Sequence, residues 1–282
     1  MAYRSILTIS TSAKGSLTAL GLASRLARAQ DAHLDVLAIG VDLSMPAFTG
    51  YPGTGMVLTM GPNAACEAAI ATEAGLRQAL AGEDPALRWS IEADVAMTGD
   101  LPALCALHAR YSDLVVLPRP NGQHPMPEDE TVVEAALFGG GAPVLLVPDD
   151  LPPDVTIGSR PVVAWSGSNA ALAAVRRALP FLMAAKRVNV VIVDPSTQGS
   201  ERSDPGGLLC RMLARHGVTA EVSVLARSAP RTSDVLRRHI RDLDGDLLVM
   251  GAYGHSRLRE AVFGGVTRDI LLEADVPVFM AH

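Results

Sequence analysis

Asp246-Leu-Leu-Val-Met-Gly251-Ala-Tyr-Gly254-His-Ser-Arg-Leu-Arg-Glu-Ala-Val-Phe-Gly264-Gly265-Val-Thr267-Arg268 is an apolar run that stops at a glycine. A second glycine follows three residues on, and a glycine pair comes ten after that, where a helical pattern begins. Such a layout can bring bare backbone N–H groups and a helix N-terminus around a phosphate. Glycine serves there because it takes positive φ and lets a ligand approach the main chain. The opening of this stretch also has an earlier counterpart, Asp113-Leu-Val-Val-Leu-Pro118.

That match is one of five. Ile6-Leu-Thr-Ile-Ser10 corresponds to Val162-Val-Ala-Trp-Ser166, and Val36-Leu-Ala-Ile-Gly-Val-Asp42 to Val188-Asn-Val-Val-Ile-Val-Asp194. Ser90-Ile-Glu-Ala-Asp-Val95 corresponds to Thr219-Ala-Glu-Val-Ser-Val224, and Ala142-Pro-Val-Leu-Leu-Val147 to Val276-Pro-Val-Phe-Met-Ala281. Five strand-like runs recurring in one order predict two copies of one domain, with residues 148–159, rich in Pro and Asp, as the linker. The expected domains are 1–148 and 159–282. Asp42 and Asp194 lie 152 positions apart, but Glu92 and Glu221 only 129. The first copy therefore holds about 23 more residues between its second and third strands. The excess is expected at residues 43–62, a Gly-, Pro- and Met-containing insertion that reads as a surface flap.

Helical patterns separate the strands. Leu172, Val175, Leu179 and Leu182 share one face, with Ser168 or Asn169 as cap and Pro180 as a kink or early stop. Thr232 or Ser233 is the expected cap of a helix with Val235, Leu236, Ile240 and Leu243 inside. After Ser12, residues Leu17, Leu20, Ala23, Leu26 and Ala27 repeat the pattern. Continuous Val/Ile/Leu strands alternating with helices predict an α/β fold: two doubly wound domains, each a parallel sheet flanked by helices. Ligands of such sheets bind beyond the carboxyl ends of the strands, where strand order reverses.

Composition narrows the function. The chain has 282 residues, 49% of them apolar, and a formal net charge of −6. That charge argues against nucleic acid as the main partner. No run approaches a membrane span, and the N-terminal run reads as a strand without a signal-peptide h-region. A soluble cytoplasmic protein is expected. Cys66, Cys105 and Cys210 form no CxxC pair, so no zinc site or disulfide framework is expected. His108, His216 and His239 lack metal-ligand spacing and read as structural or exposed.

The paired halves and the C-terminal glycine pattern resemble a tandem universal stress protein of the UspA superfamily. The family motif is Gly, two residues, Gly, nine residues, Gly, then Ser or Thr. Gly251, Gly254 and Gly264 fit it, and Val162-Val-Ala-Trp-Ser-Gly-Ser168 is similar to the family's first strand and turn. The resemblance implies a five-stranded parallel sheet of order 3-2-1-4-5 in each domain. It implies ATP, AMP or ADP as ligand, with Mg2+ held through the phosphates. Adenine would lie near Trp165, Ser166, Val193 and Asp194. Ribose and phosphates would lie along Gly251, Gly254, His255, Gly264, Gly265, Val266, Thr267 and Arg268.

Two departures qualify this. Gly265 fills the Ser/Thr slot, so the usual hydroxyl is missing unless Thr267 replaces it, and Ser166 stands where an acidic residue is common. The first copy departs altogether, because Pro118 occupies the position of Gly251 and proline has no N–H for a phosphate. Phe138-Gly-Gly-Gly141 aligns just before the fifth strand and reads as a helix end. One site per chain is therefore expected, in the C-terminal half. Arg257, Arg259 and Arg268 could neutralise phosphate or simply face solvent beside Glu260. His255 could touch ligand or be a surface histidine, Tyr253 could pack on the ligand or fill the loop, and Trp165 could stack on adenine or pack in the core.

There is no GxSxG elbow, no HExxH and no Walker lysine, so slow ATP hydrolysis is the most that is expected of it as an enzyme. The leading reading is a nucleotide-binding regulatory module of the stress response. Its two domains pair within the chain through their fifth strands, residues 143–147 against 277–281, with homodimerisation and an unidentified protein partner expected beyond that. The second reading is a nucleotide-independent interaction or small-ligand protein, and the third is a true nucleotide enzyme.

Overall fold

A computed structural model describes residues 2–44, 61–195, 204–252 and 265–282. The first half runs β1 (Ser5–Ser10), α1 (Ala13–Gln30), β2 (His33–Asp42), α2 (Pro62–Leu80), β3 (Arg88–Met97), α3 (Leu101–Ala109), β4 (Leu114–Pro118), α4 (Asp129–Glu134) and β5 (Val144–Val147). The second runs β6 (Pro161–Ala164), α5 (Asn169–Arg177), α6 (Leu179–Ala184), β7 (Val188–Val193), α7 (Gly207–Arg215), β8 (Ala220–Leu225), α8 (Thr232–Asp242), β9 (Leu247–Gly251), α9 (Gly265–Glu273) and β10 (Val278–Ala281).

The strands form a single ten-stranded sheet of order β3-β2-β1-β4-β5-β10-β9-β6-β7-β8. Each half is parallel and keeps the order 3-2-1-4-5 expected from the resemblance. The halves join where the fifth strands meet antiparallel, Phe279 opposite Leu145 and Met280 opposite Val144. The expected pairing of these strands is thus the middle of the sheet.

Alternate residues of each strand feed two apolar layers, one on each sheet face. On one face Ile6, Val116 and Val249 pack with α1, α5 and α6; on the other Leu7, Leu117 and Met250 pack with α3, α8 and α9. Both layers cross the seam. Tyr3 donates its hydroxyl to the carbonyl of Arg177 at 2.7 Å and lies 5.7 Å from the ring of Phe181, which lies 6.0 Å from Phe279. Burial pushes the Tyr3 phenol well above its usual pKa. Arg119 donates to the carbonyls of Leu272 (3.4 Å) and Ala274 (2.9 Å), so a cation from the first half caps the end of α9 in the second.

Several local expectations are met. Pro180 stands in the first turn of α6, and the helix after β6 breaks at Ala178. The Ser168 hydroxyl accepts from the Ala171 N–H at 3.1 Å. Phe138 and Gly139 end a π-helical turn, Ala135–Gly139, before β5, and Gly141 has φ +66. Burial pushes the Cys105 thiol up to about 12.

Others are corrected. Neither Thr232 nor Ser233 caps α8: the helix starts at Thr232 with Arg231 at the cap, and the Ser233 hydroxyl donates to Asp269 at 2.8 Å. Leu17 and Leu243 are exposed, at 46% and 39%, whereas Leu22 is buried. The 43–62 insertion does not hold the whole length difference, because α2 has 19 residues against 9 in α7. Residues 45–60 of that insertion lie outside the described residues. Strands β3 and β8 are not covered on both faces; they are the sheet edges, and Glu92, Asp94 and Glu221 are exposed there, which discourages edge-to-edge pairing.

Of the two readings for His239, the structural one holds. His239 Nε2 donates to Asn189 Oδ1 at 2.9 Å, and Asn189 Nδ2 donates to the Ser223 hydroxyl at 2.9 Å. Burial lowers the His239 pKa below 6.5, against a smaller opposing pull from Asp242. The unfolded chain therefore takes up the proton first as pH falls. The contribution is complete above about pH 6.5 and declines below it, toward the folded pKa. Urea midpoints at pH 7.5 and 5.5 should differ more for the native chain than for His239→Gln.

Candidate functional site

At the carboxyl edge of the second half, β6 lies between β7 and β9. Ala164 pairs with Val191 on one side and Met250 on the other, so Trp165 and Ser166 emerge between Asp194 and Gly251. This is the point where strand order reverses.

Trp165 is half-buried against the core, and its N–H donates to the Val191 carbonyl at 2.9 Å. Ser166 is exposed and donates its hydroxyl to the Ser168 hydroxyl at 3.0 Å. Val193 is half-buried. Asp194 is exposed at φ +52, with its N–H on the Leu225 carbonyl. This left-handed residue turns the chain out of β7.

Gly251 has a packing reason to be glycine. A Cβ there would strike the backbone N of Ala171 and approach the Ala170 carbonyl carbon to 2.6 Å. The first turn of α5 thus rests directly on the end of β9, and its N-terminus faces the same edge.

Helix α9 begins at Gly265, which is exposed. Val266 is half-buried, Thr267 is buried at 5% exposure, and Arg268 is exposed with no ion pair among the described residues. The opposite end of α9 is fixed by Arg119 and by Arg231, which lies 3.0 Å from Glu273 and 3.6 Å from Asp269. Arg237 also binds Glu273. The positive end of a firmly held helix is therefore delivered to the site. Gly254, His255 and Gly264, with Tyr253, Arg257, Arg259 and Glu260, lie outside the described residues.

The equivalent edge of the first half is filled by its own chain. The loop after Pro118 lies over α1, so that a Cβ on Gly15 would stand 3.0 Å from the His124 carbonyl oxygen. The Gln123 N–H donates to the Asp149 carboxylate, and the Asp149 carbonyl accepts from Thr18 at 3.1 Å. Asp129 accepts from the Met126 N–H at 2.9 Å, and burial raises its pKa. The remaining cleft, lined by Thr11, Pro118, Asp129 and Asp149, encloses about 10 Å³. That is room for about one water. Asp42, matched to Asp194 in the sequence repeat though the strand register sets Gly40 at that place, is engaged by the Ser44 hydroxyl at 2.6 Å and its N–H at 2.9 Å, which hold its carboxyl below the usual range.

Pro118 was the sequence signal that the end of β4 differs from the end of β9. The filling loop and Asp149 left no pattern, since Asp149 reads only as linker. Gly15, one of several small residues early in α1, was the trace of the close approach. No group of three or more His, Cys, Asp or Glu suited to a metal occurs among the described residues. Among them no helix is long and apolar enough to cross a membrane.

Comparison with known proteins agrees with this geometry. Residues 160–282 match the universal stress protein family. A universal stress protein of Synechocystis sp. is 32% identical over 97 residues, 34% of this chain and 33% of that protein, so the match spans about a third of the relative's length. The crystal structure of a universal stress protein from Archaeoglobus fulgidus superposes with a TM-score of 0.68 at 13% identity, over 98% of this chain and 96% of that one. A functionally unknown protein from Pseudomonas aeruginosa gives 0.61 at 18% identity, over 99% and 92%. At such identities the likeness is one of fold.

Proposed function

We propose that the chain, whose residues 160–282 match the universal stress protein family, binds one adenine nucleotide, at the carboxyl edge of its second half, as a regulatory module. The observation that carries the reading is the contrast between the two switch points. In the first half backbone and two carboxylates fill the space, whereas in the second Ser166 and Asp194 stay exposed beside two helix N-termini. Trp165, Ser166, Val193 and Asp194 would hold the adenine and ribose side. Gly251, Gly254, His255, Gly264, Gly265, Val266, Thr267 and Arg268 would hold the phosphates, with Mg2+ on the phosphates.

Thr267 is buried and Gly265 has no hydroxyl, so the first turn of α9 offers a terminal phosphate backbone N–H groups and Arg268. This suits AMP or ADP as well as ATP, and it suits binding better than hydrolysis. Occupancy would shift the glycine loop and so alter a surface read by a protein partner or a second copy of the chain.

Calorimetric titration with ATP, ADP and AMP should give one site per chain, lost in Gly254→Val with the thermal midpoint retained. Two equivalent sites, or unchanged affinity in the variant, contradict the reading. A different small molecule retained through purification, seen by native mass spectrometry, would favour the nucleotide-independent alternative.

A further inference from the structure

At the opposite, amino-terminal edge of the second half lies a second cleft, of about 410 Å³, between the sheet and the end of α8. It falls within the range of small-molecule pockets. Its floor is the row Val162–Asn189–Glu221 across β6, β7 and β8, and Pro161 and Leu243 add apolar wall. Arg160, Lys186 and Arg187 stand at its mouth.

These cations are weakly engaged. Arg160 is 3.7 Å from Asp244, and Arg187 is 3.9 Å from Glu221, with every one of these side chains more than half exposed. Exposed pairs of that kind contribute little and can turn toward a ligand. Lys186 has no carboxylate partner among the described residues. The middle of the floor, by contrast, is fixed: Asn189 is buried and held by both His239 and Ser223.

The first half supplies an internal comparison. The same row there is Leu7–Asp35–Ser90, beneath a cleft of about 240 Å³ lined by Asp35, Glu92 and His108, with no lysine or arginine. Two arginines at that end, Arg4 and Arg88, are both drawn onto Asp31, at 3.1 and 2.7 Å. One position in the fold thus carries opposite charge in the two halves, and the cationic one is also the larger.

We propose that the Arg160–Lys186–Arg187 cleft binds a small organic anion, an apolar body carrying one carboxylate or phosphate. The apolar part rests on Pro161, Val162 and Leu243, and the anionic group lies at the mouth against Lys186 and the two guanidinium groups. The site is separate from the nucleotide edge and stands or falls independently of it.

The test uses the full chain labelled with 15N and 1-naphthoate as probe, with 1-naphthalenemethanol as neutral control. Naphthoate should shift the amides of Arg160, Val162, Arg187, Asn189 and Leu243 in a saturable way. The alcohol should bind about tenfold more weakly or worse, as should naphthoate to Lys186→Glu, each being the loss of a charged contact. Lys186 is exposed, so this variant keeps its fold, and Leu243→Asp should weaken binding through the apolar wall. No saturable shift at millimolar probe, equal binding of the alcohol, shifts centred on Leu7, Asp35 and Ser90, or undiminished affinity in Lys186→Glu would each overturn the proposal.

Discussion

Replacing Phe279 with alanine should lower the unfolding free energy by about 3–5 kcal/mol, the range for deleting a buried aromatic side chain. Phe279 is wholly buried in β10, opposite Leu145 of β5, and it packs on Phe181, which packs in turn on Tyr3. The cavity would open where the two halves meet, and both sides of it belong to one continuous layer that cannot close over the space without moving the seam. Urea denaturation should show the loss as a shifted midpoint with one transition, because the halves share that core. Leu243→Ala, at a position 39% exposed, should cost about 0.5 kcal/mol or less. A Phe279→Ala loss below about 1 kcal/mol would mean that the seam relaxes freely, and the shared core would not be what joins the halves.

The extent to which the sequence disclosed this arrangement follows from what each feature depends on. The strand runs were visible because parallel strands covered on both faces are continuous apolar segments, and four such pairs, together with the edge pair β3 and β8, recurring in one order defined the halves. Pro180 and Ser168 were visible because their effects are local to a turn of helix. The cap of α8 was misplaced for a tertiary reason: Ser233 is a good cap type, but Asp269 on another helix claims its hydroxyl. Leu17 and Leu243 fit the helical period and are still exposed, because the period gives a face and the neighbours decide how far round it is covered.

The candidate site divides in the same way. Trp165, Ser166, Asp194 and Gly251 were placed together by the resemblance, and the register of β6, β7 and β9 brings them to one edge. Arg119 on the end of α9 could not be foreseen, since it joins residues more than 150 positions apart. The same holds for Asp149 over α1 and for the cationic cleft, whose residues come from three strand starts and a helix end.

Gly251 separates the structural and binding roles of glycine most sharply. Gly251→Ala puts a methyl group into the backbone of α5, against Ala170 and Ala171. Backbone cannot swing aside as a side chain can, so overpacking of about 1–3 kcal/mol is expected. The strain falls on the contact that aligns the end of β9 with the first turn of α5. Nucleotide affinity should therefore drop about tenfold or more, equivalent to ~1.4 kcal/mol, even at temperatures where the variant is fully folded. Gly40 provides the matched control. In β2 of the first half, a Cβ there would strike the Ala65 carbonyl at the start of α2. Gly40→Ala should lose comparable stability at a strand-to-helix contact of the same kind but keep native nucleotide affinity, because the first-half edge is filled by its own loop. Thermal melts would measure the first effect and calorimetric titration the second. Affinity retained in both variants would show that the close approach at Gly251 is packing alone and would move the nucleotide away from the end of β9, and affinity lost in both would show that strain in either half abolishes binding, so that the Gly251 contact has no specific role.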